Sequence, residues 1–229
     1  MNNLESLKYT DLGPNVYHLY NCVSQFNDST FIDLGVREGV SSAVMLMDSE
    51  AKNNKVFGVD VDSNPVNSFV INHPQYQFIL GDSATIGKQW TGGDVSILFV
   101  DTFHVKEQVM MELYYWYPHV AKNGYIVFHD SNWPEGKQDI FEGIGWPRVE
   151  EGIKSFFNIN EMNFEDESIE VITYPESWGM TFVKIKEKKD YISMFKDWEH
   201  IFERRNHLIS LFWNKENKNN VNIDLKLEL

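Results

Sequence analysis

Five acidic residues close or follow short apolar runs in this chain. Asp33 ends the run from Thr30, Asp60 ends Lys55 to Val59, and Asp82 follows Tyr76 to Leu80. Asp101 closes Val95 to Val100, and Asp130 comes after Tyr125 to Phe128 and His129. Such runs read as buried strands, and an open α/β sheet binds ligands outside the carboxyl ends of its strands. Acids repeated there collect negative charge on one rim, at a cost unless a ligand or cation neutralises it. The blander alternative is that strand ends are polar because they meet water.

Glycines sit where a ligand needs close approach. After Asp33 the chain reads Leu34-Gly35-Val36-Arg37-Glu38-Gly39-Val40-Ser41-Ser42. Gly35 lets the backbone approach a ligand, and Gly39 lets a helix start beside it. The middle glycine of a G-x-G-x-x-G turn is absent, which disfavours a dinucleotide. Asp60, at the end of the second run, has the chemistry to accept both hydroxyls of a ribose. With Gly81-Asp82-Ser83 after the third run, the spacing suits an adenosine lying across the sheet. Asp82 or Ser83 then faces the adenine amino group.

Helix-length segments between the runs must hold these acids in place. A helix opens at Gly39, a short one follows Pro65 to about Ile71, and another covers 105 to 117 with Val109, Leu113 and Trp116 on one face. Asn123-Gly124 breaks the chain before a fifth strand, Tyr125 to Phe128. Strands alternating with helices predict βαβ units and a mostly parallel sheet covered on both faces. Further on, a helix from about Arg148 to Phe157 precedes two strands, Glu170 to Tyr174 and Met180 to Lys186, joined through Pro175 to Gly179. A long helix from Tyr191 to Trp213 and an alternating tail, Val221 to Leu229, complete the chain. The expectation is one α/β domain over 1–229, with its core at about 28–186 and a C-terminal helix and tail at 187–229. It is Rossmann-like and doubly wound, with a seven-stranded sheet carrying an antiparallel strand near one edge.

Composition narrows the functions. The 229 residues suit a single core, and 20 basic against 34 acidic residues give a net charge of −14. That balance repels phosphate backbones and anionic lipid, so neither nucleic acid nor a membrane is an expected partner. The lone Cys22 excludes an internal disulfide framework and reads as a small buried apolar residue. Without a signal-like start or a membrane-length apolar run, the expected location is cytoplasmic.

The constellation resembles the class I S-adenosylmethionine-dependent methyltransferases over roughly residues 28–186. Within them it is most similar to the small-molecule and sugar O-methyltransferases, a group that includes cephalosporin hydroxylase-like, macrolide-sugar and catechol-type relatives. The residues that carry this are Leu98-Phe99-Val100-Asp101-Thr102-Phe103-His104, then Trp116-Tyr117-Pro118, then Asn123-Gly124-Tyr125-Ile126-Val127-Phe128-His129-Asp130. Thr102, Asn123 and Lys106 depart from that pattern, where Gly, Gly and Tyr are usual.

The resemblance implies S-adenosyl-L-methionine held by Asp33, Gly35, Gly39, Ser41, Asp60, Asp82, Ser83 and Asp101. It further implies Mg²⁺ on Asp101 and Asp130, the third ligand being open among Ser131, Asn132 and His129, with Asn132 carried forward. Asp101 and His104 would be catalytic, the imidazole taking the proton of an acceptor hydroxyl. The plainer reading of His104 is a local hydrogen bond at a helix start, and that of His129 a bond to backbone.

The acceptor is expected to be a sugar or another small hydroxylated molecule. Trp133, Phe141 and Trp146, on a loop hinged at Gly136, Gly143 and Gly145, are placed to cover it. Phe195, Trp198, Phe202, Ile209 and Phe212 form a stripe, interrupted by Arg204 and Arg205, that suits packing or a homodimer. Competing functions are a nicotinamide-dependent sugar oxidoreductase and an inactive nucleoside-binding module. The first lacks its glycine turn and a Tyr-x-x-x-Lys pair, and the second has little use for both Asp101 and Asp130.

Overall fold

Each apolar run becomes a strand. In the computed structural model, which describes residues 4–63, 66–134 and 148–216 with side chains through Leu211, β1 (Thr30–Leu34), β2 (Lys55–Asp60), β3 (Tyr76–Leu80), β4 (Val95–Val100) and β5 (Val120–His129) pair in parallel. Strands β6 (Phe164–Glu165), β7 (Ile169–Tyr174) and β8 (Met180–Ile185) add antiparallel pairs beyond β5. The order across the sheet is β3-β2-β1-β4-β5-β8-β7-β6. The chain reverses its direction of growth between β1 and β4, which opens a crevice at their carboxyl ends.

Helices α1 (Leu4–Leu7), α2 (Asn15–Val23), α3 (Val40–Leu46), α4 (Ser49–Lys52) and α5 (Ser68–Ile71) belong to the first part of the chain. After them come α6 (Ser83–Gln89), α7 (Lys106–Trp116), α8 (Val149–Phe157), α9 (Tyr191–Met194) and α10 (Trp198–Glu216). Alternate side chains of the central strands feed two cores. Ile32, Leu98, Val100, Ile126 and Phe128 join Val109, Leu113, Trp116 and Phe156 of α7 and α8. Phe31, Ile97, Phe99 and Val127 face the other way, onto Val16 and Leu19 of α2 and Val44 of α3. Strands buried on both sides are what continuous apolar runs require.

Several expectations need correcting. The sheet has eight strands rather than seven, the addition being the two-residue β6. Asn123-Gly124 does not end an element. Asn123 takes a φ of 63° inside β5, and the register against β4 shifts there, so the strand is irregular but continuous. The helix expected from 191 to 213 is two helices. Asp190 caps α9 by accepting from the Ser193 amide at 3.0 Å, Phe195 turns extended, and the Ile201 amide bonds to the Asp197 carbonyl to start α10. The Trp198 indole donates to the Ile192 carbonyl at 2.8 Å across the break.

The short helix before β3 is capped by Asn67, whose side chain accepts from the Phe69 amide at 2.8 Å. Pro65 lies outside the described residues, as do Phe141, Trp146, the glycines 136, 143 and 145, and the alternating tail. Among the described residues no helix is long and apolar enough to cross a membrane.

Candidate active site

The turn after β1 is built around Asp33. Its carboxylate is wholly buried and accepts from the hydroxyls of Ser41, at 2.8 and 3.0 Å, and of Ser42. Burial pushes the Asp33 carboxyl up to about 7, against the pull of those hydroxyls. Asp33 and Ser41 therefore hold the first turn of α3 to the end of β1 through their side chains. The cofactor contact expected of these two residues would have to use what this turn leaves open rather than the oxygens bonded in this way. Gly35 has a φ of 85°, and a Cβ there would lie 1.9 Å from the Asp101 carbonyl oxygen. Only glycine lets the turn pass that close to the end of β4.

One strand away, Asp60 is half-buried at the tip of β2. One carboxylate oxygen accepts from the Arg37 amide at 2.9 Å and the other from the Asp62 amide at 3.0 Å. Backbone amides thus orient the carboxylate while each oxygen keeps a lone pair free, which is what a ribose diol needs. Asp82 caps α6, with one oxygen accepting from the amide and hydroxyl of Thr85, each at 2.9 Å. Ser83 differs from its expected role. It is buried, donates to Glu112 and accepts from Gln108 at 3.0 Å, so its hydroxyl belongs to the interior.

At the ends of β4 and β5 two acids and two histidines converge. The Nε2 atom of His104 lies 3.3 Å from an Asp101 oxygen and 3.1 Å from an Asp130 oxygen. The Nδ1 atom of His129, a residue almost fully buried, lies 3.3 and 3.4 Å from the same two carboxylates. His129 thus stands beside the acids, and the bland expectation of a backbone bond is not met: neither ring nitrogen has an aligned hydrogen-bond partner among the described residues. Burial opposes charging of that ring, but Asp101 and then Asp130 outweigh it and push its pKa up to about 10. Burial alone would raise Asp101, yet His129 and His104 hold it well below the usual carboxylate range.

The acids suit a cation. Asp101, His104 and Asp130 each offer a ligand atom, all within 4.8 Å of one another. Among the described residues, one buried oxygen of Asp130 has no hydrogen-bond partner. Atoms bound at about 2.1 Å around an octahedral ion are roughly 3.0 Å apart, close to the spacings of His104 from both acids. Asn132, carried forward as the third ligand, is exposed, and its amide donates to the Trp178 carbonyl at 2.8 Å. His104 is the third group the fold brings to the pair. Ser131 is buried and bonded to the Thr181 hydroxyl at 2.8 Å.

Beyond Asp130 the chain runs into an aromatic recess. Trp133 and Trp178 stack with ring centroids 4.6 Å apart. With Asn132, Pro134, Pro175 and Ser177 they line a cavity of about 500 Å³. Ser177 and Trp178 hold φ values of 47° and 64°, unusual for residues with side chains. Sequence reading missed Trp178, which sits in a connection that looked like a plain turn. It also missed Glu112, which shares the buried side of α7 with Val109, Leu113 and Trp116.

Residues 32–131 match the profile of a family described as a methyltransferase domain. No curated protein matches the sequence. Among solved structures, a protein from Corynebacterium glutamicum aligns over 77% of this chain and 82% of its own, at 14% identity and a TM-score of 0.57. The methyltransferase PaMTH1 of Podospora anserina, bound to S-adenosylhomocysteine (SAH), aligns over 75% and 77%, at 13% identity and a TM-score of 0.53. The methyltransferase MycE of the mycinamycin biosynthetic pathway, in complex with Mg, SAH and mycinamycin VI, aligns over 82% of this chain at 18% identity and a TM-score of 0.50. This chain spans 55% of that MycE chain. The glycine turn at a topological switch point, the acid ending β2 and the profile match over β1 to β5 converge: residues 32–131 are similar to a methyltransferase domain, and the sheet around them has the fold of the solved methyltransferases.

Proposed function

We propose that the protein is an O-methyltransferase, assisted by a divalent cation, that methylates a hydroxyl of a sugar or another small molecule. The observation that carries this reading is the meeting of Asp101, His104 and Asp130 at the ends of β4 and β5. Asp101 and Asp130 would hold Mg²⁺, whose hard oxygen preference matches a carboxylate pair. When bound, the cation supplies a positive charge that lowers the pKa of an acceptor hydroxyl.

In the transfer the acceptor oxygen forms a bond to the methyl carbon as the carbon–sulfur bond breaks. The sulfonium becomes the neutral thioether of SAH, and the acceptor proton passes to His104. Asp60 fixes the ribose, so the methyl group arrives already positioned, which accounts for much of the rate in a direct displacement. Trp133 and Trp178 give the acceptor a flat apolar wall. It begins three residues beyond Asp130, about 10 Å of extended chain at most. The Mg and mycinamycin VI in complex with MycE support the metal and a small-molecule acceptor by analogy.

A second role for His104 is favoured by its 3.1 and 3.3 Å spacings, which also suit a ligand of the cation. Methyl transfer to a panel of hydroxylated sugars, with Mg²⁺ or with a chelator, tests the proposal. Activity that needs the metal is expected, and full activity in chelator would overturn the metal role. Under His104→Ala a base leaves metal affinity intact, whereas a ligand takes it away.

A further inference from the structure

Arg205 belongs to α10, outside the sheet and its flanking helices, yet it is only 1% exposed. Its Nη2 donates to Asp82, and its Nε donates to the Gln108 side-chain oxygen at 2.7 Å. From Gln108 the contacts continue to Ser83 at 3.0 Å and to Glu112 at 2.7 Å. The Thr102 hydroxyl, next to Asp101, donates to the same Glu112 oxygen at 2.8 Å. A buried polar chain therefore runs from the C-terminal helix to the ends of both β3 and β4. A buried guanidinium is tolerated only where it is paired, and among the described residues Asp82 is the carboxylate that pairs with it.

The state of the Asp82 carboxylate makes this more than an anchor for a helix. A carboxylate accepts about four hydrogen bonds. One oxygen of Asp82 takes two from Thr85, and the other takes one from Arg205. A single acceptor position remains, on the oxygen that Arg205 holds. It stands at the tip of β3, one strand from the ribose acceptor Asp60. One fixed acceptor matches one N–H donor, which the 6-amino group of adenine supplies and the 6-oxo group of hypoxanthine cannot.

We propose that Arg205 is a positioning residue for base selectivity: through Asp82 it sets the site to prefer an adenine nucleoside. The proposal rests on the cofactor assignment above. Arg205 touches no reacting atom, and α10 thereby forms part of the cofactor site at one remove.

Calorimetry with SAH and with its hypoxanthine counterpart, S-inosylhomocysteine, provides the test. The wild type is expected to favour SAH by tenfold or more. Arg205→Met should reduce that preference to within about threefold, through a larger loss for SAH than for the inosine compound. Arg205→Lys keeps the buried charge and so guards against a simple folding failure. It cannot span Asp82 and Gln108 together, and it should give an intermediate preference. Equal loss for both ligands, or an unchanged preference in both variants, would mean a merely structural role and overturn the proposal. A wild type that binds neither ligand would instead bring down the cofactor assignment beneath it.

Discussion

At the scale of single residues, the same residue type serves different ends at neighbouring strand tips. Asp33 is sealed inside by two serines, Asp60 is aimed by two backbone amides, and Asp101 and Asp130 face each other across two imidazoles. The sequence shows five acids in equivalent places, and nothing in spacing separates the sealed from the aimed. That distinction arises from which neighbours donate, and Ser41 and Ser42 reach Asp33 only once α3 has formed. His129 was misread for a related reason, because its surroundings come from β4 and the end of β5 together. Asp60→Ala should weaken SAH binding by about 1.5–3 kcal/mol, the scale for a hydrogen bond to a charged group. Titration calorimetry checks this, and an unchanged affinity would remove Asp60 from the nucleoside site. Asp130→Asn should first lose Mg²⁺ affinity, and turnover should recover in part with excess Mg²⁺. No response of turnover to added metal would count against the carboxylate pair.

At the scale of elements, the parallel strands and the helices between them were legible because long apolar runs and 3- and 4-residue periodicity are strong signals. Their junctions were less so. The break between α9 and α10 depends on the Asp190 side-chain cap and on Phe195 turning extended, a local choice hidden inside a continuous aromatic stripe. That stripe is largely met within the chain: Trp198 and Phe202 pack on Tyr114 of α7, and Trp198 also meets Phe156 of α8. A homodimer through α10 would have to use what remains outward, such as Leu211, which is 50% exposed. Helix α7 also carries Glu112, and burial pushes this carboxyl from 4.5 up to about 7 despite hydrogen bonds from Ser83, Gln108 and Thr102. The folded value lies above the unfolded one, so the native state keeps its proton while the unfolded chain gives it up. Its stabilising contribution is full below about pH 4.5 and is lost as the pH rises to about 7. Glu112→Gln, a neutral isostere, should show a shallower fall in unfolding midpoint between those pH values. Parallel curves for wild type and variant would refute the assignment.

At the scale of the whole molecule, the crevice exists because the sheet grows outward in both directions from β1 and β4. Elements far apart in sequence meet at its rim: the turn after β1, the tips of β2 and β3, the acids of β4 and β5 and, through Arg205, a helix that begins at Trp198. A nucleoside seated there touches several of these at once, whereas the unfolded chain offers it no assembled site. Ligand binding must then stabilise the fold by mass action. With SAH at one hundred times its dissociation constant, the gain is about 2.7 kcal/mol. For a domain of this size each kcal/mol moves the melting temperature by roughly 2–4 °C, so a rise of about 5–10 °C is expected. NAD at the same concentration should leave the melting temperature unchanged, since the turn after β1 lacks the middle glycine that lets a pyrophosphate approach. Thermal melts with each ligand measure this directly. A shift with NAD and none with SAH would mean that the crevice holds a different nucleotide from the one its acids describe.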